Sequence, residues 1–154
     1  MTESTGRWSR DEIERAFAHY QAVAAEAGRT GDWNPWADLF TEDATYIEHL
    51  FGEMHGREQI REWITKTMGS YPGNEMDDFP AEWHIVDVDR GWVVMCVWNN
   101  MRALPDGEVL GAYNFTLLKY AGDNLWSYEE DIYNPAKFGD LVAAYDARKA
   151  AVSP

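Results

Sequence analysis

The stretch that decides the fold is residues 40–64, FTEDATYIEHLFGEMHGREQIREWI. Its middle, 44–49, is typical of a strand, a Gly-bearing turn follows, and the periodic run over 57–68 predicts a helix. Tyr46 and Glu48 stand two residues apart in the strand, so their side chains point to the same face of a sheet. A phenol and a carboxylate on one face, among many aromatic residues, indicate a functional site rather than core alone.

Helices are predicted on both sides of this stretch. Ser9 and Glu12 form a capping-box pattern, after which apolar residues recur at helical spacing over 10–27. One Asn-Pro pair opens a short helix over 34–40, and a second Asn-Pro pair opens a last helix over 135–147.

The second half of the chain changes its pattern. Segment 69–81, GSYPGNEMDDFPA, is rich in Gly, Pro and acid and predicts a long loop, either a lid over a site or a plain surface connection. Beyond it, the apolar period shortens from that of a helix to that of a strand. Four strands separated by turn signals are predicted there, over 82–89, 91–103, 109–121 and 125–133. Short turns between consecutive strands predict an antiparallel meander.

This order of elements predicts an α+β fold, in which a cone-shaped, curved antiparallel sheet is covered by helices and leaves a pocket. A single domain is expected over 9–148, with tails at 1–8 and 149–154. Strand 92–101 is apolar on both faces. One face is therefore expected to pack on helices and the other on a second copy of the chain in a homodimer.

Charge and composition exclude several functions. The chain has 27 acidic and 13 basic residues and a formal net charge of −14. Nucleic acids and anionic membranes are therefore not expected as partners, and neither is a highly anionic substrate. The N-terminus lacks a signal-peptide pattern and no segment approaches the roughly 18 apolar residues of a membrane span, so a cytoplasmic location is expected.

Cofactor and metal motifs are not found in the sequence. Cys96, the only cysteine, lies in an apolar run and is interpreted as a buried, inert thiol. The four histidines are scattered without a ligand spacing, and there is no phosphate loop or dinucleotide fingerprint. Neither a metal nor a cofactor is expected.

The chain resembles the nuclear transport factor 2-like superfamily, in particular its SnoaL-like and ketosteroid-isomerase-like branch. The resemblance covers roughly residues 10–147 and is densest in WADLFTEDATY at 36–46, GREQIREW at 56–63 and SYEEDIYNP at 127–135. It implies the cone-shaped fold described above. It leaves the reaction open, because the superfamily includes isomerases, dehydratases, cyclases, epoxide hydrolases, lyases and non-catalytic binding modules.

The resemblance to the isomerases implies roles for two residues. Glu48 falls where the isomerases carry an Asp general base, and Tyr20 falls where they carry a phenol that donates to an oxyanion. The protonated carboxyl of the isomerase oxyanion hole has no acidic counterpart here, and Asn114 and Thr116 stand nearby instead.

Other branches of the superfamily match other residues. Tyr46 and Asp131 match positions of the limonene-epoxide-hydrolase branch. Asn99 and Asn100 stand where those enzymes carry an Arg with a paired Asp, which disfavours epoxide hydrolysis. His84 lies near the histidine position of the scytalone-dehydratase-like members, so a dehydratase or lyase that uses a histidine and a carboxylate stays open.

The candidate catalytic residues are those that can move a proton: Glu48, His84, Asp131 and Tyr46. A carboxyl that faces an aromatic cavity loses hydration, which raises its pKa towards a useful range, and a histidine titrates near neutrality. The candidate substrate-binding residues supply aromatic walls or hydrogen bonds: Tyr20, Trp36, Trp63, Trp98, Asn99, Asn100 and Asn114. Plainer alternatives are a strand-end carboxylate, a hydrogen-bonded core histidine and ordinary core aromatics. Because strand residues alternate, only one of the two adjacent asparagines can point inward.

These observations predict a cofactor-independent acid–base enzyme that acts on a small apolar, oxygenated organic molecule such as a polyketide, terpenoid, steroid or aromatic. Isomerisation, cyclisation, dehydration and a lyase step are all consistent with the residues. The alternative is a non-catalytic module for small-molecule binding or dimerisation on the same fold.

Overall fold

The structure, a computed structural model, describes residues 6–152. Four helices are found in this part of the chain: α1 Arg10–Thr30, α2 Asn34–Ala37, α3 Arg57–Met68 and α4 Pro135–Val152. Seven strands form the sheet: β1 Phe40–Glu48, β2 Gly52–His55, β3 Met76–Asp78, β4 Ala81–Asp87, β5 Trp92–Met101, β6 Gly111–Gly122 and β7 Leu125–Ile132.

The predicted α+β fold with a curved sheet is confirmed. The sheet runs β2-β1-β7-β6-β5-β3, and β4 also pairs with β5. The meander from β4 to β7 is antiparallel, as predicted, and its strand ends lie within two residues of the predicted ones. The pairing of β1 with β7 is parallel and was not predicted, because the two strands are far apart in the sequence.

Helix α1 covers the concave face of the sheet. Ser9 caps it as the sequence predicts, since its side chain accepts a hydrogen bond of 3.1 Å from the Glu12 amide. The helix passes Gly28, its predicted end, and stops at Gly31, whose φ of 81° suits glycine. Gly28 instead allows close packing, because a Cβ there would lie 2.7 Å from the Asp77 carbonyl oxygen in β3.

The ends of the domain differ from the prediction. Helix α4 continues to Val152, so residues 149–152 are helical. Trp8, which was assigned to the N-terminal tail, packs against Tyr120 with ring centroids 5.1 Å apart. Residues 1–5 and 153–154 of the predicted tails lie outside the described residues. Among the residues described, no helix is both long enough and apolar enough to cross a membrane.

A bulge in β7 sets which side chains face the interior. Tyr120 pairs with Trp126 while Lys119 pairs with Tyr128, so Ser127 is an extra residue in β7. Trp126 and Glu129 are three residues apart, yet both are buried, because the bulge reverses the alternation between them. Glu129 and, two residues later, Asp131 consequently face the concave side of the sheet.

Candidate active site

A cavity of about 140 Å³ lies between the helices and the concave face of the sheet. Its walls are largely aromatic, with Trp33, Trp36 and Trp63 from the helical side. Phe79, from the short connection between β3 and β4, completes this wall and packs edge-on against Trp33. Polar groups of the strands form the opposite side. The cavity is thus an apolar chamber with hydrogen-bonding groups on one side, which is the usual form of a small-molecule site.

Two buried carboxyl groups dominate the polar side, and two tyrosines hold them. The Tyr20 hydroxyl lies 2.9 and 3.0 Å from the two oxygens of Glu129. The Tyr46 hydroxyl lies 3.1 Å from Oε1 of Glu129 and also contacts Oδ2 of Asp131. Tyr46 therefore stands between the two carboxyls and joins them.

If both contacts of the Tyr46 hydroxyl are hydrogen bonds, the number of available protons requires that one of the two carboxyls is protonated. A tyrosine hydroxyl carries a single proton, yet that of Tyr46 contacts two carboxyls. If Tyr46 donates to Asp131, then its oxygen can accept a proton from Glu129, provided that Glu129 is the neutral acid. The contacts are then all satisfied with Asp131 ionised and Glu129 protonated.

A chain of neutral donors points at Asp131 from β5 and β6. Asn99 Nδ2 donates to Asn114 Oδ1 at 2.7 Å, Asn114 Nδ2 donates to Thr116 Oγ1 at 2.8 Å, and Thr116 Oγ1 donates to Asp131 Oδ1 at 2.6 Å. Asn114 Nδ2 also lies 3.4 Å from the same Asp131 oxygen. Since each group in the chain donates towards Asp131, the network favours its carboxylate form.

The pKa values support this division. The pKa of Asp131 is raised to about 6, and burial is the largest cause of this shift. The hydrogen-bond donors Thr116 and Tyr46 act to lower the pKa. Burial and the nearby Asp131 charge raise the pKa of Glu129 well above the usual value for a carboxyl. Burial and these carboxyls also raise the pKa of Tyr20 and of Tyr46. Near neutral pH, the site therefore combines one carboxylate, one carboxylic acid and two neutral phenols.

Seven of the candidate residues lie on the cavity, namely Tyr20, Trp36, Tyr46, Trp63, Asn99, Asn114 and Asp131. They come from three helices and four strands that are far apart in sequence. The alternation argument for the two asparagines holds, since Asn99 lines the cavity and Asn100 does not.

Glu48 does not line the cavity, contrary to the prediction that it shares a pocket with Tyr46. It is buried on the same face of β1 as Tyr46, as expected. However, it is the last residue of the strand, and its carboxylate accepts hydrogen bonds from the amides of Leu50 and Phe51 at 3.4 and 2.9 Å. Glu48 therefore holds the turn that follows β1.

His84 also lies outside the cavity, so the prediction that it lines the pocket is wrong. Its Nε2 atom lies 2.8 Å from a carboxylate oxygen of Glu14, and its ring packs on Phe17 at 4.7 Å between centroids. Strand β4 is an outer strand of the sheet, and at this point α1 covers it. His84 thus contacts Glu14 and Phe17 of α1 rather than the cavity.

Trp98 and Asn100, two of the predicted substrate-binding residues, point away from the cavity. Both lie in β5 on the face opposite Asn99. Trp98 packs on Tyr113 of the outer face at 5.4 Å, and Asn100 Nδ2 donates to Asp78 at 3.2 Å. Neither residue can contact a ligand bound in the cavity.

The sequence reasoning missed Glu129, which is 3% exposed and hydrogen-bonded to two tyrosines. A signal for it existed, because Glu129 stands two residues before Asp131 and must share its face in a regular strand. It was passed over as one member of a run of three acids.

The cavity contains no basic group, since none of its lining residues is Lys, Arg or His. Within residues 6–152, no group of three or more His, Cys, Asp and Glu side chains is arranged to hold a metal ion. The polar groups of the residues that line the cavity are carboxyl, phenol, hydroxyl, amide and indole groups.

The sequence matches a known family over most of its length. Residues 10–119 match the family described as SnoaL-like domain. No curated protein matches the chain.

Solved structures similar to this one share its fold. An NTF2-like protein from Anabaena variabilis is 17% identical, with a TM-score of 0.61 over 87% of this chain and 94% of its own. SalBIII, an epoxide hydrolase/cyclase-like enzyme in pyran ring formation of salinomycin, is 14% identical. Its TM-score is 0.63, over 83% of this chain and 95% of its own. A protein with a ketosteroid isomerase-like fold from Catenulispora acidiphila, in complex with trimethylamine, is 21% identical, with a TM-score of 0.62 over 88% and 95%. At these identities, the likeness establishes the NTF2-like fold alone.

Proposed function

Because this chain belongs to the SnoaL-like domain family, we propose that its cavity performs acid–base catalysis on a small apolar, oxygenated organic molecule. The reaction class is proton abstraction and return, which covers isomerisation, cyclisation, dehydration and lyase steps. The observation that carries the proposal is the pair of adjacent buried carboxyls, Asp131 and Glu129, which share the hydroxyl of Tyr46 and whose pKa values are both raised by burial. Two carboxyls whose pKa values are driven apart supply a base and an acid in one site.

Asp131 is the general base in this proposal. Its carboxylate has a pKa of about 6, close to the working pH, and it lines the cavity. It takes a proton from a carbon next to a carbonyl group; the electron pair of that C–H bond forms a C=C bond, and the π pair of the carbonyl group moves to its oxygen. Return of the proton to another carbon completes an isomerisation, whereas its transfer to a hydroxyl group on the neighbouring carbon, which then leaves as water, completes a dehydration.

The acidic side of the site is formed by Glu129 and the two tyrosines. Negative charge that develops on the substrate oxygen needs a donor in a water-poor site, where each hydrogen bond is strong. Tyr20 and Tyr46 are neutral phenols on the cavity, and Glu129 contacts both. Tyr46 also connects Glu129 with Asp131, so a proton can pass from the acid to the base without leaving the cavity.

The comparisons support a small-molecule site in this fold. SalBIII is described as an epoxide hydrolase/cyclase-like enzyme, and the protein from Catenulispora acidiphila is described in complex with trimethylamine. A non-catalytic binding module is the second candidate function, because both oxygens of Asp131 already have partners within the protein.

A substrate-independent reporter can test for the base. The ring of 5-nitrobenzisoxazole opens when a base removes its C3 proton while the N–O bond breaks, and this releases a coloured nitrophenolate. A desolvated carboxylate in an apolar cavity should accelerate the opening. We expect saturable turnover by the wild type and a loss of roughly 10²- to 10⁴-fold in Asp131→Asn, since an amide cannot accept the proton.

Glu62→Gln is the matched control, because Glu62 is an exposed acid of α3 and its replacement changes the net charge equally. This variant should retain the wild-type rate. If the wild type gives no saturable turnover, or if Asp131→Asn reacts as fast as the wild type, the catalytic proposal fails and the binding module replaces it.

The outer face of the sheet supports a homodimer, which we propose as the assembly of this protein. Exposed apolar side chains from β4, β6 and β7 lie together there, and we call them the outer patch: Trp83, Ile85, Tyr113, Phe115 and Ile132. Trp83 and Tyr113 both pack against Phe115, with centroids 5.7 and 5.8 Å away, so the patch is continuous.

A further inference from the structure

Within residues 6–152, the buried negative charge of the cavity has no cationic partner among the lining side chains. Carboxylates in protein interiors are normally paired with a cation or a metal ion. Apart from their contact with each other, Glu129 and Asp131 receive hydrogen bonds from phenol, hydroxyl and amide groups. None of the residues that line the cavity is basic.

Several arginines of this chain pair with acids near the surface instead. Arg61 pairs with Asp38 at 2.5 Å, and Arg148 pairs with Asp106 and Glu108 at 3.0 and 2.5 Å. The buried carboxyl pair therefore has neutral partners, whereas these arginine side chains form ion pairs near the surface, where such pairs contribute little stability. A cationic group of a ligand could act as the counter-ion of the buried pair.

The opposite wall of the cavity is suited to a cation that carries apolar groups. The rings of Trp33 and Trp36 meet at 78° with centroids 5.6 Å apart, and those of Trp33 and Phe79 meet at 80° with centroids 5.5 Å apart. These three residues form an aromatic corner that lines the cavity, and the faces of aromatic rings carry the negative end of the ring quadrupole. Alkylammonium groups bind to such aromatic corners through cation–π attraction.

We propose that the ligand of this cavity carries a small alkylammonium group, held between the aromatic corner of Trp33, Trp36 and Phe79 and the carboxyl pair of Glu129 and Asp131. This inference rests on the proposed function, in that the same cavity is the substrate site, and it names the substrate class. A cavity of about 140 Å³ matches the roughly 150 Å³ that holds a benzene ring, so the group it accepts is small.

The charge of the site selects among ligand classes. A phosphate or carboxylate ligand would place a third anion beside two carboxyls and find no basic group among the lining residues. A neutral ligand would leave the Asp131 carboxylate without a counter-ion. A cationic head satisfies both the carboxylate and the aromatic corner.

Choline and its uncharged carbon isostere 3,3-dimethylbutan-1-ol provide a matched pair of probes, because they differ only in the charged nitrogen. Calorimetric titration of the wild type at neutral pH should show choline binding at least about 10-fold more tightly than the isostere. Asp131→Asn should weaken choline by about 10-fold or more and leave the isostere within about 2-fold. Phe79→Leu, which keeps an apolar wall but removes a ring face, should also reduce the preference for choline.

Glu62→Gln controls for the general attraction of a cation to a protein of net charge −14, and its affinity for choline should equal that of the wild type. Equal affinity of the wild type for the two probes, or binding of neither probe, would overturn the ammonium assignment. Reduced choline binding in Glu62→Gln equal to that in Asp131→Asn would overturn it as well. The proposed function is tested separately by ring opening of the neutral 5-nitrobenzisoxazole, so either proposal can fail while the other stands.

Discussion

At the scale of single residues, Asp131 and Glu129 show how one strand gives two carboxyls different chemistry. Both are buried and contact each other, but Asp131 receives further donors from Thr116, Asn114 and Tyr46, whereas the other partners of Glu129 are the two tyrosines. Donors stabilise the carboxylate, and an adjacent charge opposes a second ionisation. The first charge of the pair therefore resides on Asp131.

The pH dependence of ring opening should report the Asp131 carboxylate. Its pKa is about 6 and only the carboxylate accepts a proton. We therefore expect log(kcat/KM) for 5-nitrobenzisoxazole to rise with a slope near one below about pH 6 and to level off above it. A profile that stays flat from pH 5 to pH 8 would contradict this assignment of the base.

The same raised pKa has a consequence for stability, with a definite sign. The pKa of Asp131 is higher in the folded chain than the ordinary value of 3.8, so the folded state holds the proton more tightly than the unfolded state. The contribution of Asp131 to stability is therefore most favourable below about pH 4 and declines as the pH rises to about 6. Urea unfolding of the wild type and of Asp131→Asn should show their difference changing across this window and constant above it.

Substitutions at Glu129 should separate its shape from its charge. Gln resembles the protonated acid in shape and neutrality, so Glu129→Gln should change the free energy of unfolding by less than about 1 kcal/mol at neutral pH. Glu129→Ala leaves a cavity and removes the partner of Tyr20, and it should cost about 2–4 kcal/mol. Urea denaturation measures both. A loss of several kcal/mol in Glu129→Gln would show that the ionised form is the one that stabilises the fold.

Strand β7 also shows how far the sequence alone can predict which side chains face the cavity. Alternation from Asp131 identifies Glu129 as its neighbour on the same face. Counting from Trp126 with the same rule points to Tyr128 and Glu130 instead, because the extra residue Ser127 is invisible in the sequence. The alternation of residues therefore leaves two possible sets of inward-facing residues in β7. The pairing of β7 with β6 decides which set faces the cavity.

At the scale of elements, β1 and β4 explain why two candidates missed the cavity. Glu48 and His84 both lie on the strand faces that the alternating pattern predicts. Which groups their side chains contact depends on where each residue lies along its strand and where that strand lies in the sheet. Glu48 is at the end of β1, where the chain turns, and His84 is in an outer strand beneath α1. Periodicity predicts the face of a strand, and it contains no information on how far a residue lies from the pocket.

Glu48→Gln and His84→Ala should therefore retain turnover of 5-nitrobenzisoxazole to within about 3-fold, in contrast to Asp131→Asn. Their effects should be on stability. Glu48→Ala leaves the amides of Leu50 and Phe51 without an acceptor and should cost about 1–2 kcal/mol. His84→Ala loses a partly exposed pair with Glu14, which contributes about 1 kcal/mol or less. Turnover below about a hundredth of the wild-type rate in either Glu48→Gln or His84→Ala would return that residue to the mechanism.

At the scale of the whole molecule, the elements that the sequence predicted best are those with long, periodic patterns. Helix α3 was predicted with its observed bounds, and the four strands of the meander were predicted closely. Strands β2 and β3, of four and three residues, are too short to show a period. The parallel pairing of β1 with β7 joins residues about 85 positions apart, and only the closure of the sheet brings them together.

The outer patch should make the protein a dimer, and the charge of the chain should make that dimer sensitive to salt. Ile85, Tyr113 and Ile132 are each more than half exposed, which is a large apolar area for a lone chain to leave in water. Each copy also carries a net charge of −14, so the copies repel each other until salt screens them. Light scattering should give twice 17.7 kDa, and the dissociation constant should fall as sodium chloride increases.

Phe115→Glu places a carboxylate at the centre of the patch, opposite its symmetry-related copy, and should give a species of 17.7 kDa. Val109→Glu is the matched control, because Val109 is an exposed apolar residue in the connection before β6 and its replacement adds the same charge. That variant should remain dimeric. The cavity opens on the opposite face of the sheet, so the Phe115→Glu monomer should still bind ligand. A wild type that scatters as a single chain at every protein and salt concentration would contradict the dimer, and it would leave the outer patch unexplained.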